Sequence, residues 1–511
     1  MAKQDAVLII GGGIAGIQAA LDLAEAGSRV VLVEKEPTIG GKMSVLDKNF
    51  PTLDCSVCIE APKMSEVEQN KNIELLTMAE LESLDGETGN FKARIRQKAR
   101  FVSSECTRCA DCVAVCPQVS SNAFTVGMSA RKAIYTPIAQ SIPGAYAIDI
   151  EQCLNEPPNY LPCNRCVVAC GPKCIDFSMP GEKVLEREAV SVIVSTGYDL
   201  MDASQFKAYG YGSHPDILTS YELERILTSA GPTGGDIVRP SNRHHPKNAL
   251  LVLCVGSRDR RYSSYCSRFC CMYSIKHAFQ MIDHGVKDVT VLYMDLRAYG
   301  KGFDEFLKRT MDAGARFVRG RPATIKPNAE GNITVRYEDT SAGRVVNEDY
   351  EMVVLATAVR PSAGLPELSK RLGIELESDG FVHSVESKGG LLHTSRPGVY
   401  VAGCASSAKD IPDSVSEAGA AAALALTHLK SRSHPKPEEA PPIQGQEIPR
   451  VGVFICHCGS NIAGVVDVEK VCRGARDLPD VAHAQTQMFS CAGNTQKEIE
   501  QVIRDKKLTR V

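Results

Sequence analysis

The sequence predicts an α/β protein made of two dinucleotide-type units, with a cysteine-rich, two-cluster insert interrupting the first. Three stretches carry that prediction. Residues 6–34 read as strand, glycine turn, helix, strand and acid; residues 106–174 hold nine cysteines at ligand spacings; residues 249–258 start a second strand and turn from which the glycines are missing.

In the first unit, Ala6-Val7-Leu8-Ile9-Ile10 is a continuous apolar run of the kind buried in parallel sheets, and it breaks at Gly11-Gly12-Gly13-Ile14-Ala15-Gly16. Ile17 to Ala26 keep helical apolar spacing up to Gly27, and Arg29 to Val33 form a second strand ending at Glu34. Gly11 permits the tight turn, Gly13 lets the amides around Ile14 and Ala15 approach a pyrophosphate, and Gly16 lets helix and strand pack closely. Glu34, beside Lys35, is placed to accept ribose hydroxyls. FAD is expected rather than NAD, because Pro37-Thr38-Ile39-Gly40-Gly41-Lys42 resembles the continuation found in FAD-binding flavoproteins. A second flavin-facing element is expected at Gly398 to Ala405, where a strand ends in Ala402-Gly403-Cys404 and an Ala-rich helix follows from Ser414 to Leu429. Many such flavoproteins have Asp at the position of Cys404.

Cys55 and Cys58 follow the flavin motif as a C-x2-C pair. They are candidates for a redox-active dithiol, for ligands of a nearby cluster, or for a structural pair, and ligation is favoured because ligand spacings dominate the chain. No other catalytic side chain is singled out.

The insert begins at Cys106. A C-x2-C-x2-C-x3-C-P run gives three thiolates to one iron–sulfur cluster and the fourth to a neighbour. Cys106, Cys109 and Cys112 are therefore expected on one [4Fe-4S] cluster with Cys170, and Cys153, Cys163 and Cys166 on a second with Cys116. Neither a zinc site nor disulfides need two crossing sets. Gly171 stands where a Pro would follow Cys170, and Cys174 competes as a ligand.

In the second unit, Val190 to Tyr198 and Met352 to Ala358 read as the paired strands that bracket the NAD(P)H domain of glutathione-reductase-like proteins. Ala249 to Leu253 would be that domain's first strand, but its turn, Cys254-Val255-Gly256-Ser257-Arg258, has one glycine where three are needed, so nucleotide binding there is expected to be lost. Cys254, Cys266, Cys270 and Cys271 take the place as four candidate ligands of a third cluster. Arg258, Arg260, Arg261 and Arg268 are interleaved and would stabilise its negative charge. Lys276, on the expected following helix, is more simply a solvent-facing lysine than a residue tuning the flavin.

Beyond a proline-rich linker, Arg450 to Ile455 reads as a strand leading to Cys456 and Cys458, which with Cys491 supply three ligands of a possible further cluster. Cys472 falls in an expected helix. The fourth ligand would come from elsewhere, Cys55 or Cys58 included, or the module is incomplete. The expected division is 1–98 FAD-binding part, 99–182 insert, 183–245 FAD-unit continuation, 246–365 degenerate NAD(P)-like unit, 366–432 last part of the FAD unit, 433–449 linker and 450–511 partial module.

Composition fits this plan. The chain has 511 residues, enough for several cored domains, and its 20 cysteines sit in ligand-spaced groups rather than in a small secreted scaffold, which points to a reducing cytoplasm. With 58 basic and 61 acidic residues, a broad nucleic-acid surface is not expected.

Four stretches, IGGKMSVLDKNFPTLDCSVCIEAPKM, RKAIYTPIAQSIPGAYAID, CVGSRDRRYSSYCSRFCCMYSIKHA and GVYVAGCASSAKDIPDSVSEAGAAAA, resemble the A-type subunits of the heterodisulfide reductases, and the resemblance covers most of residues 1–430. The family's long members begin with a module resembling VGVFICHCGSNIAGVVDVE, which lies at the C-terminus here, and end in a further ferredoxin unit; a rearranged, split or truncated member is expected. The resemblance implies an oxidoreductase in which FAD is a branching centre, with electron bifurcation or confurcation through [4Fe-4S] clusters. It also implies a hetero-oligomer with B- and C-type subunits and a hydrogenase, formate- or NADH-linked input subunit, with a dimer of complexes as one arrangement. The rival readings are an NAD(P)H-dependent disulfide reductase using Cys55 and Cys58, a quinone-linked electron-transfer subunit, and a non-enzymatic docking scaffold.

Overall fold

Ala6–Ile10 is the middle strand of a five-stranded parallel sheet in the order Val399–Val401, Ser191–Val194, Ala6–Ile10, Arg29–Val33, Ile73–Leu76. The structure is a computed structural model and describes residues 5–155, 162–385, 392–429, 449–458, 460–491 and 493–511. Val7, Leu8 and Ile9 are fully buried, as strands covered on both faces must be, and each such side chain contributes roughly 1.5–3 kcal/mol over its exposed state. Helices α1 (Ile14–Glu25) and α2 (Ser56–Gln69) cover one face. An antiparallel sheet of Ala79–Glu87, Asn90–Lys98 and Glu182–Ala189 packs Leu81, Phe91 and Ile95 against the other.

That antiparallel sheet explains how the cysteine-rich segment is carried. Lys98 pairs with Glu182, so the chain leaves and returns at one point. Ala99 N–H to Gly181 O (2.8 Å) and Ser103 N–H to Cys174 O (2.8 Å) close the neck. Within it, Cys112, Cys153, Cys170 and Cys174 pack with Phe101, Ile134 and Ile148, so thiols form part of the core itself.

The second unit repeats the plan of the first. Its parallel sheet runs Ile217–Thr219, Met352–Thr357, Asn248–Val255, Asp288–Tyr293, Arg316–Arg319, followed in the chain by three antiparallel strands between Pro322 and Tyr350. Helix α3 (Ser220–Leu227) starts from a capping box of Thr219 and Glu222, and helix α4 (Cys270–Asp283) begins at the paired cysteines. The chain is thus a two-dinucleotide-domain α/β protein.

The first unit is completed by Val399–Val401 and helix α5 (Ile411–Leu426), whose Ala418, Ala421, Ala422 and Ala425 join the core beneath α1. The helix expected over Ser414 to Leu429 starts earlier. The Asp410 carboxylate accepts the Asp413 N–H (2.9 Å) as a cap, and Pro412 suits the first turn.

Of the linker expected at 433–449, all but residue 449 lies outside the described residues. Beyond it, Val451–Cys456 and Val481–Gln487 pair in parallel, and helix α6 (Val468–Arg476) between them buries Cys472. Among the described residues, no helix is long and apolar enough to cross a membrane.

Candidate flavin cavity and thiol sets

The two units enclose a cavity of about 630 Å³. Gly11, Gly13, Ile14, Ala15, Glu34, Lys35, Gly41, Lys42 and Cys404 line it from the first unit. Its lining fits FAD. Helix α1 opens onto it through Gly13, with no side-chain cap over the first amides, which is how a helix N-terminus receives a pyrophosphate. A Cβ on Gly13 would meet nothing nearer than Gly41 Cα at 3.9 Å, so the space beside it is open. Gly16 lies behind the wall: a Cβ there would stand 1.9 Å from Gly11 O.

Glu34 sits at the wall, but its oxygens already accept Gly12 N–H (2.7 Å) and Glu36 N–H (2.8 Å). Burial raises its carboxyl above the ordinary value against those two hydrogen bonds. Gly403 also lies behind the wall; its N–H donates to Glu417 (3.0 Å), which Lys409 pairs at 2.7 Å. The Cys404 thiol donates to Lys409 O (3.2 Å), and burial pushes its pKa up.

The far end of the cavity carries a network that sequence reasoning missed or misplaced. Lys276, expected at the surface, is 1 % exposed. It is buried because it pairs with Glu224 of α3 and donates to Lys48 O (2.9 Å). His277 Nε2 lies 2.6 Å from the same Glu224 oxygen, and Asp47 N–H donates to the other (3.0 Å). Burial pushes the Glu224 carboxyl up, but the Lys276 charge and the hydrogen bonds from Lys276 and His277 outweigh it and hold it well below the usual carboxylate range. Burial likewise lowers His277, favouring its neutral form. Tyr198, Tyr221 and Tyr273 complete this end, with the Lys42 ammonium 5.5 Å from the Tyr198 ring.

In the second unit the turn after Asn248–Val255 is tightly packed at its glycine. A Cβ on Gly256 would strike Met201 Sδ at 2.5 Å and Phe206 Cζ at 2.6 Å, whereas the face of Gly13 is open. The thiols gather here instead. Cys254 and Cys271 both act on the Cys270 thiol and raise it, and Arg268 N–H donates to Cys266 Sγ (3.3 Å). Cys254 is lowered to about 7, first by the Cys270 hydrogen bond, against burial, with Arg258 and Arg321 assisting. The expected support from four interleaved arginines is only partly realised. Arg258 pairs with Asp295 (2.7 Å) and also acts on Cys254 and Cys266, but Arg261 is tied to Asp259 (2.8 Å), the Arg268 side chain to Asp413 (2.7 Å), and Arg260 is exposed. Arg321 and Arg297, remote in sequence, act on Cys254 and Cys271 in their place.

The insert's thiols fall into two neighbourhoods. Cys106, Cys109 and Cys170 act on Cys112, as does Cys166 from the adjoining set, and its pKa is pushed up to about 12, chiefly by burial. Cys116, Cys153, Cys163 and Cys166 line one small pocket with Pro117 and Ile148. Cys174 lies against the first set, its Sγ 3.4 Å from that of Cys170. In the tail, Cys456 and Cys458 act on Cys491, and Ser490 N–H donates to Cys456 Sγ (3.3 Å). Cys55 and Cys58, weighted toward ligation by spacing, are joined as a disulfide at the start of α2. Among the described residues no three His, Cys, Asp or Glu side chains converge at the spacing of a single metal ion. Four-thiolate sets suit a larger cubane, whose ligands stand farther apart.

The family model described as FAD dependent oxidoreductase matches residues 6–50. The A-type subunit of the H(2):CoB-CoM heterodisulfide,ferredoxin reductase of Methanothermobacter marburgensis is 44% identical over 439 residues, 85% of this chain and 65% of that protein. The A-type iron-sulfur subunit of the CoB--CoM heterodisulfide reductase of Methanocaldococcus jannaschii is 44% identical over 425 residues, 82% of this chain and 64% of its own length. This chain therefore spans slightly under two thirds of these curated relatives. The solved thioredoxin reductase of Lactococcus lactis matches with a TM-score of 0.46 at 16% identity, covering 83% of this chain and 99% of that one.

Proposed function

Because this chain belongs to the family of heterodisulfide reductase A-type subunits, we propose that it is a FAD and iron–sulfur electron-transfer oxidoreductase subunit of a heterodisulfide-reductase-like complex. The finer reading is flavin-based bifurcation or confurcation between a two-electron donor and one-electron routes of different potential. One observation carries it: Phe269 and Tyr273, which flank Cys270 and Cys271 on α4, are themselves on the cavity wall, so the thiol set and the flavin cavity share one helical turn.

Bound FAD would supply exchange of electrons in pairs and singly, and thiolate-held clusters would relay them singly. The chain's own residues hold and bias these groups. The uncapped start of α1 receives a pyrophosphate; the Lys276 ammonium, fixed by Glu224 and Lys48 O, favours negative charge on a ring bound against it; and the lowered Cys254 favours the thiolate that ligation needs. Cys106, Cys109, Cys112 and Cys170 would hold one [4Fe-4S] cluster of the insert, Cys116, Cys153, Cys163 and Cys166 the other, and Cys254, Cys266, Cys270 and Cys271 a third. Partners would be B- and C-type subunits and an electron-input subunit.

A second reading rests on the bonded Cys55–Cys58 pair. Cys55 forms a β-bridge with Lys48, which lines the cavity, so a disulfide lies one residue pair from the flavin space. Anaerobic rapid mixing of the purified holoprotein with NADH and NADPH separates the two. The electron-transfer reading expects unchanged flavin absorbance without partner subunits; bleaching followed by loss of the disulfide overturns it in favour of a disulfide reductase.

A further inference from the structure

The insert carries more than thiols: part of it is on the wall of the flavin cavity. Ala123 and Phe124 line that cavity together with Glu34, Glu36, Ala79 and Leu81 of the first unit. In a dinucleotide fold the acid ending the second strand sits beside the adenosine ribose. Glu34 therefore marks the adenosine end of the cavity, opposite the end where Lys276 and the tyrosines gather.

The insert is rooted at this same end. Arg100, in its neck, donates through Nη2 to Pro37 O (2.5 Å) and Thr77 Oγ1 (2.8 Å). Tyr135 lies where the charges of Glu36 and Arg100 act on it. Arg131 packs over the Tyr135 ring at 3.9 Å and belongs to a hairpin of Val119–Ser121 with Ala130–Lys132. The loop joining those two strands carries Phe124.

That loop is held in one shape. Asn122 Oδ1 accepts the Phe124 N–H (3.1 Å), Asn122 O accepts the Gly127 N–H (2.9 Å), and the Thr125 and Ser129 hydroxyls hydrogen-bond at 2.8 Å. Val126 has φ 54°, a left-handed backbone that β-branched residues rarely adopt and that persists only where the surroundings fix it. Met128 packs on the second unit, against the core cluster that contains Cys254 and Cys271. Phe124 itself is half-buried.

We propose that Phe124 is a binding residue for FAD, and that the loop 122–129 supplies the aromatic part of the wall around the adenosine half. The proposal rests on the flavin reading of the cavity and goes beyond it, because it gives the insert a share in selecting FAD over the shorter FMN. A purine offers a π face that an aromatic side chain recognises by stacking. Ala79 and Leu81 at this end are aliphatic; Phe124 brings the ring.

Flavin-free full chain with its iron in place, titrated anaerobically with FAD and with FMN by flavin fluorescence, tests this. FMN ends at its phosphate, so it reports the ring end alone. Phe124→Ala should weaken FAD roughly tenfold, the share that one base–aromatic contact contributes, and leave FMN affinity and iron per chain unchanged. Phe124→Tyr should restore FAD affinity. In the unsubstituted chain, FAD but not FMN should slow hydrogen exchange across residues 122–129. Unchanged FAD affinity in Phe124→Ala, an equal fall for FAD and FMN, or no FAD-dependent protection of 122–129 overturns the role of Phe124. If Phe124→Ala sheds iron, Phe124→Leu, which keeps apolar bulk, is judged by the same criteria, and loss of iron from both variants also overturns it. An unsubstituted chain that binds neither flavin overturns the flavin reading of the cavity, and this role with it.

Discussion

Lys276 and Glu224 form a buried ion pair that ties α4, the helix opening with Cys270 and Cys271, to α3 at the end of the flavin cavity. Removing one partner strands the other's charge in a buried site. Lys276→Met and Glu224→Gln are each expected to cost about 3–5 kcal/mol in urea unfolding, and the two combined less than their sum. The pH dependence follows from Glu224, whose folded pKa is depressed. Its contribution is present above the ordinary carboxylate value and is lost as pH falls through the folded one, so Glu224→Gln should flatten the acid limb of stability.

Glu60 predicts the opposite slope. It is fully buried on α2, both oxygens lack partners among the described residues, and burial pushes its pKa far up. The folded chain keeps a proton that the unfolded chain releases, so stability falls as pH rises above the ordinary carboxylate value toward the folded one. Thermal unfolding from pH 5 to 8 should show a Tm decline that Glu60→Gln reduces; equal slopes would count against a neutral buried Glu60.

The glycine turn predicts a contrast between neighbours. Gly16→Ala drives a methyl into Gly11 O and should lower stability and flavin content together. Gly13→Ala meets open space, so the chain should fold normally yet lose FAD on dialysis, because the methyl occupies room meant for the pyrophosphate. Flavin absorbance and Tm, measured on both, separate the two effects.

Much of this architecture is legible in the sequence because it is written in local signals. Ala6 to Glu34 fixes a strand, a turn and a helix through apolar periodicity and glycine, and the cysteine runs carry their spacing with them. What the sequence hides is set by partners remote along the chain. Lys276 reads as a surface residue until Glu224, on another helix, is seen to bury it, and Arg321 reaches Cys254 only through the folding of the second sheet. Phe124 carries no motif at all; its meaning comes from the cavity it lines. The Cys55–Cys58 spacing suits a ligand pair and a disulfide equally, and local pattern alone could not choose.

The second unit's exchange of a nucleotide turn for thiols is decided by metal content. Iron, acid-labile sulfide and FAD should be quantified per chain in anaerobically purified protein and in Cys270→Ala. The account predicts unchanged FAD in the variant, with iron and sulfide lower by the complement of one cubane. Equal iron and sulfide in the two proteins would contradict it, leaving Cys254, Cys266, Cys270 and Cys271 as ordinary thiols.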